Sequence, residues 1–511
     1  MKNTPKMLKK IDDFLNKTTM YRLTLYCVSF LWALAFIFSV FGILHYSPIY
    51  LIGCLIVSFV VCFLTNELFA KIYEAPTNRE SVYITAFILA SIVAPVLASK
   101  NIYFLILAGV IAMASKYILA IGKKHIFNPA AIGVGLASLL MINQAATWWM
   151  GTLYMAPFVL IAGILIARKI RRFDLLLSFF ASSFIFIVGY GIYEKQTLLS
   201  AISGAIFDSP ILYLGSIMLT EPMTTPPTKK LRIIYGSLVG FLNAPFIGFG
   251  SFYTTPEIAL ALGNIYSYLV SSKEKLVLRL KEKVKIANDT YDFIFSADKN
   301  LKFKPGQYLE WTLGHPSTLL RGGIKMDNRG MRRYFTIASS PTENEIIMGV
   351  KFYDKPSTYK QSLIGLKKDG IVVASQLAGD FTLPEDKSKK LVFIAGGIGI
   401  TPFRSMIKYL TDKNEKRDIV IFYSNKTAGD IAYKDIFDEA EKKLGIKTIY
   451  HLTDEKGFLN HKIIEQYVPD FKERMFYISG PRSMILTFQK ALKEAGIHKS
   501  HIKTDFFPGF A

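Results

Sequence analysis

Two kinds of hydrophobic patterning divide the chain near residue 270. Before it, long apolar runs alternate with short polar stretches, near 21–44, 48–70, 82–98, 102–121, 129–142, 152–168, 173–193, 198–219, 231–249 and 252–270. Runs approaching ~20 residues match the hydrocarbon thickness of a bilayer, so the pattern predicts an α-helical transmembrane bundle of about ten spans, several of them short. After it come short alternating segments such as Tyr291-Asp292-Phe293-Ile294-Phe295, with Pro305-Gly306-Gln307-Tyr308 as a turn, and these predict a small antiparallel β-barrel. From Leu391 onward, strands near 391–395, 419–423, 448–450 and 475–478 alternate with helical stretches, which predicts a doubly wound parallel sheet. The expected domains are a flank at 1–19, a membrane domain at 20–270, a barrel at 271–386 and an α/β domain at 387–511.

Composition sharpens this picture. At 511 residues the chain is too long for one core, and its 51% apolar share and mean hydropathy of +0.30 are carried almost wholly by the first half. The net charge of +22 would suit nucleic acid in a soluble protein, but here the cations cluster between apolar runs. Lys71 and Arg79, then Lys123 and Lys124, then Arg168 to Arg172, then Lys229 to Arg232, and finally Lys273 and Lys275 occupy alternate loops, while the opposite loops carry only Lys100 and Lys195. That asymmetry predicts a multi-pass protein of the cell (inner) membrane with both termini cytoplasmic. The expected partner of the first half is therefore the lipid bilayer, not nucleic acid. The lysines before the first run read as a cytoplasmic flank rather than a signal peptide. Cys27, Cys54 and Cys62 all lie inside apolar runs, too few for an iron–sulfur cluster, and no metal site is predicted. A bis-haem core needs four histidines, whereas only His45 and His125 precede residue 270.

The chemistry concentrates in Arg332-Arg333-Tyr334-Phe335-Thr336-Ile337-Ala338-Ser339. In a strand Arg333 and Phe335 share a face. A guanidinium grips a pyrophosphate, an aromatic covers a flavin ring, and Thr336 offers a hydroxyl to a ring nitrogen. Tyr334 takes the stacking role if the register slips by one. Ser357 and Thr358 open a helical stretch, where hydroxyls cap free N–H groups and the same N–H groups bind phosphate. Gly396-Gly397-Ile398-Gly399-Ile400-Thr401-Pro402 follows a strand and precedes a helix, the layout in which backbone N–H groups hold a pyrophosphate. Ser424, Asn425 and Lys426 end the next strand, where an adenosine ribose belongs; the choice between NADH and NADPH stays open.

The C-terminal half resembles the ferredoxin–NADP⁺ reductase-like flavoproteins. Their Arg-x-Tyr/Phe-Ser/Thr motif aligns with Arg333 to Thr336 and their Ser-Ile-Ala-Ser with Thr336 to Ser339. The Pro-Gly-Gln-Tyr turn, with Gln307 and Tyr308, and Gly-Gly-x-Gly-Ile-Thr-Pro match as well. The resemblance implies FAD held by Arg333, Phe335, Ser357 and Thr358, and NAD(P)H on the glycine turn. Ser479-Gly480-Pro481 resembles the family's Cys-Gly-Pro beside the nicotinamide, with Ser479 replacing Cys. The tail Asp505 to Phe510 resembles the family's acidic, aromatic-rich end. It implies that Asp505 approaches the reacting ring and Phe510 covers the flavin until nicotinamide displaces it.

In the membrane half, Phe127-Asn128-Pro129 opens one short run and Thr220-Glu221-Pro222-Met223-Thr224 ends another. Proline and hydroxyls at run ends suit broken helices whose freed backbone groups line a cavity, and Glu221 is a functional candidate if buried. Residues 20–270 resemble the flavin-carrying membrane proteins of the Rnf complex and of the sodium-pumping NADH:quinone reductase, which singles out Asn128, Thr220, Glu221 and Thr224. The family's Ser-Gly-Ala-Thr flavin attachment is missing, since Ser203-Gly204-Ala205-Ile206 lacks the Thr. A membrane flavin, FMN or riboflavin, would therefore be held non-covalently. The expected activity is oxidation of NAD(P)H through FAD, with electrons passing to a flavin, a quinone, an external acceptor or further electron-transfer subunits. A redox-driven Na⁺/H⁺ pump and a redox-sensing transporter are the alternatives.

Overall fold

The computed structural model describes residues 10–505 apart from 13, 16–17, 74–78, 122–123, 142–143, 209, 250–251, 272–275, 314–331 and 355. It divides into two compact units, Met1–Glu274 and Lys275–Ala511.

The first unit is helical. Its main helices are α1 (Met20–Val40), α2 (Pro48–Ile72), α3 (Arg79–Ile92), α4 (Ser99–Ile118), α5 (Pro129–Leu140), α6 (Ala156–Ile170), α7 (Phe173–Tyr193), α8 (Lys229–Leu242) and α9 (Pro256–Val270). Large apolar side chains such as Phe30, Ile49, Leu64, Leu177 and Ile185 face outward, which suits lipid and not water. All ten apolar runs carry helix, but the expectation of ten spans is not met. Among the described residues, α1, α2, α4 and α7 are long and apolar enough to cross a membrane, and a fifth span results if the bent pair Leu198–Phe207 and Ile211–Met218 counts as one. The remaining helices, α3, α5, α6, α8 and α9, have 12 to 15 residues. At ~1.5 Å per residue they fall short of a ~30 Å hydrocarbon core. Their shortness has a local cause: Pro129 and Pro256 fix where α5 and α9 begin, and Pro95 follows the end of α3. Gly204–Asp208 and Leu214–Met218 are π-helical, so the eighth run is broken as its sequence suggests.

Helix α8 lies against α7 through Gly236 and Gly240, one turn apart. A Cβ on Gly240 would sit 2.7 Å from Phe179 O and 2.9 Å from Ser183 N. Small residues at such a spacing let helix backbones approach where lipid supplies no hydrophobic drive.

The second unit holds two sheets. β1 (Leu276–Ala287), β2 (Thr290–Ala297), β3 (Tyr308–Leu313), β4 (Arg332–Thr336), β5 (Ile346–Lys351) and β6 (Ile371–Ala378) form a six-stranded antiparallel half-barrel in the order β4-β3-β6-β1-β2-β5. Trp311, Phe293, Phe295 and Leu309 fill its core. β7 (Leu391–Gly396), β8 (Ile419–Asn425), β9 (Lys447–Leu452), β10 (Met475–Ser479) and β11 (Ile502–Asp505) form a parallel sheet in the order β9-β8-β7-β10-β11. β7 is buried along its whole length and reads as an unbroken apolar run, as a central parallel strand must. Helices α10 (Thr358–Ile364), α11 (Thr401–Asp412), α12 (Lys434–Leu444) and α13 (Arg482–Glu494) belong to the same unit, with shorter helices at Thr453–Lys456 and His461–Tyr467.

Replacing Gly240 by Leu should force α7 and α8 apart. The expected outcome is a loss of detergent-solubilised, monodisperse protein and a melting midpoint lowered by an amount corresponding to ~2 kcal/mol or more, read by size exclusion and thermal unfolding, with Gly189→Ala, at a helical position with open space around its Cβ, as the mild control.

Candidate active site

The register of β3 with β4 sets the faces of the flavin strand. Leu309 pairs Phe335 and Trp311 pairs Arg333, while Tyr308 pairs Thr336 and Glu310 pairs Tyr334. Directly paired residues share a face, so Arg333 and Phe335 lie with the core residues Leu309 and Trp311. The Arg333 guanidinium sits 5.2 Å above the Tyr359 ring, and the Phe335 ring lies 5.8 Å from the same ring. Tyr359 is fully buried with its hydroxyl unbonded among the described residues, one residue beyond Thr358. Ser357 caps α10 by accepting from Lys360 N at 3.4 Å. Tyr334 points the other way, its hydroxyl 2.9 Å from Glu310 Oε2 and 3.0 Å from Gln376 Oε1, with its ring 5.5 Å from Tyr308. Gln307 closes the turn before β3: its Oε1 accepts from Lys304 N at 2.8 Å.

At the end of β4 the two sheets meet. Thr336 Oγ1 donates to Asp505 Oδ2 at 3.2 Å. Asp505 ends β11 in register with Ser479 at the end of β10, which is in register with Ala395 of β7. Thr336, Ser479 and Asp505, far apart in sequence, are therefore brought together, and all three are buried. Phe510 lies outside the described residues.

The glycine turn joins β7 to α11. Gly397 has φ 53°, and Pro402 occupies the first turn of the helix. A Cβ on Gly399 would stand 2.5 Å from Ser479 O and 2.6 Å from Gly480 N, so only glycine lets this turn approach the end of β10. Gly396 packs against Pro481 and Met484. Asn425, 4% exposed at the end of β8, has neither amide atom bonded among the described residues, and Ser424 precedes it on the same strand. Thr401 donates its hydroxyl to Ile398 O at 3.2 Å and Ser339 accepts from Ile347 N at 3.0 Å, so both hydroxyls hold backbone. The residues fit the two coenzymes by these marks: a glycine cradle, an unbonded buried amide and an unbonded buried phenol beside a guanidinium.

Comparison with known proteins bears on this module. The family described as oxidoreductase NAD-binding domain matches residues 393–490. The C-terminal half thus carries the NAD-binding domain of an oxidoreductase. The chain is 29% identical over 238 residues to oxidoreductase NAD-binding domain-containing protein 1 of Pongo abelii, covering 40% of this chain and 71% of that protein. It is 25% identical over 241 residues to the glycine betaine monooxygenase reductase subunit of Chromohalobacter salexigens, covering 44% and 62%. It is 27% identical over 199 residues to an NADPH oxidoreductase of Mycobacterium tuberculosis, covering 38% and 50%. A solved cytochrome P450 reductase of Amycolatopsis superposes with a TM-score of 0.40 at 22% identity, covering 46% of this chain and 70% of that one. The chain thus spans from half to about seven-tenths of these curated relatives.

In the first unit, Asn128 and Glu221 also meet. Asn128 caps α5 by accepting from Ala131 N (3.1 Å), donates through Nδ2 to Glu221 Oε2 (2.9 Å) and Met218 O (3.3 Å), and donates its backbone N–H to Asn264 Oδ1 (2.8 Å). His125 Nε2 lies 3.3 Å from Glu221 Oε1, and Asn264 donates to Tyr235 Oη at 2.9 Å. The Glu221 side chain is 15% exposed. Thr220 and Thr224 spend their hydroxyls on nearby carbonyls, Ile217 O (3.1 Å) and Glu221 O (3.3 Å).

Several residues were not singled out from sequence: Tyr359, Glu310, Gln376 and Asn264. Tyr359 had a local signal, its place behind two hydroxyls at a helix start. Glu310 and Gln376 had none, because their meaning lies in a cross-strand pairing and in the φ of 53° that Gln376 adopts beside the β3–β6 irregularity.

Burial pushes the Asp292 carboxyl up from an ordinary 3.8 to about 6, opposed by the hydroxyl of Tyr433 and the charge of Arg404. A carboxyl raised in the folded state favours folding most below its unfolded pKa, and that contribution is lost as pH rises through the folded value. Between pH 4 and 7 the thermal midpoint of the full chain should therefore fall by a contribution on the order of 3 kcal/mol, and Asp292→Asn should flatten that part of the profile.

Proposed function

We propose that this chain oxidises NAD(P)H in the cytoplasm and delivers the electrons to its membrane half. When bound, FAD would accept a hydride and release electrons singly, and the protein's part is to bind, orient and tune. Arg333 would hold the FAD pyrophosphate together with the α10 N-terminus at Ser357 and Thr358, and Tyr334, on the face it shares with Thr336, would take the stacking role in place of Phe335. The turn from Gly396 to Thr401 would hold the NAD(P)H pyrophosphate, with Ser424 and Asn425 at the ribose and Gly480 and Pro481 beneath the nicotinamide. Thr336 and Asp505 would hold a proton at the reacting ring, with Ser479 keeping a polar contact in place of a thiol. The observation that carries this reading is the contact of Thr336 with Asp505 at the end of both sheets.

Cofactor extraction from purified full-length protein, followed by anaerobic reduction, tests it. FAD should be released, and FMN or riboflavin beside it would mean that the membrane half carries a flavin. Thr336→Val should slow flavin reduction by about a hundredfold with FAD content retained. Colourless protein that cannot be reconstituted with FAD would refute the reading.

For residues 20–270 we propose a membrane electron-transfer domain of the Rnf/Nqr type, passing electrons to a flavin, a quinone, an outer acceptor or further subunits. The joined Asn128, Glu221 and His125 favour ion coupling as a second reading, because a carboxylate shielded at a helix terminus is a cation or proton partner. In sealed vesicles Glu221→Gln should then abolish Na⁺- or H⁺-dependent turnover while electron transfer in detergent persists. Equal loss in both would point to electron transfer alone.

A further inference from the structure

The helix that carries the glycine turn is bound to the tail of the flavin strand by a buried polar network that the reaction does not itself use. Arg404, in the first turn of α11, donates through Nη2 to Glu343 Oε1 at 2.9 Å, through Nη1 to Glu343 Oε2, and through Nη1 to Ala338 O at 3.1 Å. Ser405 donates to Ser339 O at 2.7 Å. Ala338 and Ser339 lie two and three residues beyond Thr336. The Arg404 guanidinium lies 5.6 Å over the Tyr433 ring, and the Tyr433 hydroxyl donates to Asp292 Oδ1 on β2 at 2.5 Å. Asp292, Arg404 and Tyr433 are all buried.

Three features set this apart from ordinary packing between lobes. Burying a guanidinium and carboxylates gains little stability over apolar residues of the same size, so stability alone accounts poorly for it. Tyr433 adopts φ 58°, a left-handed conformation costly for a residue with an aromatic side chain. Gly349 on β5 leaves room for the phenol: a Cβ there would stand 2.5 Å from Tyr433 Oη and 2.8 Å from Thr401 Cγ2.

We propose that Asp292, Tyr433, Arg404 and Glu343 form a positioning latch that fixes the pyrophosphate helix against the flavin strand, and so sets the distance over which hydride is transferred. This rests on the reading of the module as an NAD(P)H oxidoreductase. The latch reaches the tail of the flavin strand through Arg404 and Ala338 O, with Ser405 holding Ser339 O beside it, so its residues act by holding other groups. A displacement near 1 Å is enough to cost one to two orders of magnitude in a reaction governed by approach geometry.

The test uses the full chain in detergent, with hydrogen exchange measured over 338–343 and 398–406 beside rapid-mixing rates of flavin reduction by NADH and NADPH. Tyr433→Phe should slow flavin reduction about tenfold with KM and FAD content little changed, and should speed exchange in both segments together. Gly349→Ala, which displaces the phenol without removing a group, should act in the same direction. Asp292→Asn keeps an acceptor oxygen and should stay near the parent rate. Unchanged rates in Tyr433→Phe, or exchange that loosens in one segment only, would overturn the latch. If the parent protein oxidises neither NADH nor NADPH, the functional reading fails instead, and joint loosening of the two segments still decides whether they are latched.

Discussion

Thr336 reaches Asp505 only because two sheets built on different rules end at one place. The half-barrel is antiparallel, so β4 arrives with its side chains sorted by the pairing of Tyr308 with Thr336. The second sheet is parallel, so the carboxyl ends of β7, β10 and β11 gather on one edge and bring Ala395, Ser479 and Asp505 into a row. The carboxyl edge of such a sheet is where ligands bind, since every strand there turns into a loop or helix start. A slip of one residue in β4 would turn Thr336 toward the barrel core and replace it with Phe335 at Asp505. Trp311 guards against that slip from the other face, with its indole N–H donating to Phe335 O at 3.1 Å.

Much of this module was legible in the sequence because its demands are local. A turn that must pass within van der Waals distance of Gly480 admits only glycine at 399, and that necessity is written in the sequence as a glycine-rich stretch between an apolar strand and an amphipathic helix. The alternation around Phe293 and the uninterrupted run at β7 likewise report their own burial. Pairings across long separations were not legible. Arg404 and Glu343 are 61 residues apart, and Tyr334 and Gln376 are 42 apart; nothing in either segment names its partner. Ten spans are not shown for a related reason: hydropathy registers an apolar run whether its helix is whole or is cut short by a proline.

The latch and the site show how stability and function divide the buried polar groups. Thr401 and Ser339 spend their hydroxyls on backbone. Asn425 and Tyr359, by contrast, keep buried polar atoms unbonded among the described residues, a state worth on the order of 1–3 kcal/mol to relieve. Both lie beside elements for which we propose phosphate binding, so the same atoms that weaken the protein alone are those a coenzyme would satisfy.

The first unit follows one logic from its short helices to its polar cluster. A helix that stops inside an apolar environment leaves carbonyls and N–H groups that lipid cannot bond. Asn128 answers this twice: its side chain caps the start of α5 at Ala131 N and also bonds Met218 O, at the end of the π-helical stretch Leu214–Met218. Glu221 then sits where the freed backbone of the broken run meets the cap of another, and it accepts from Asn128 with His125 alongside. The breaks that keep five helices too short to span are therefore also what creates a place for a charged side chain inside the unit. Ten unbroken helices would have had neither the free carbonyl that Asn128 binds nor the turn on which Glu221 stands.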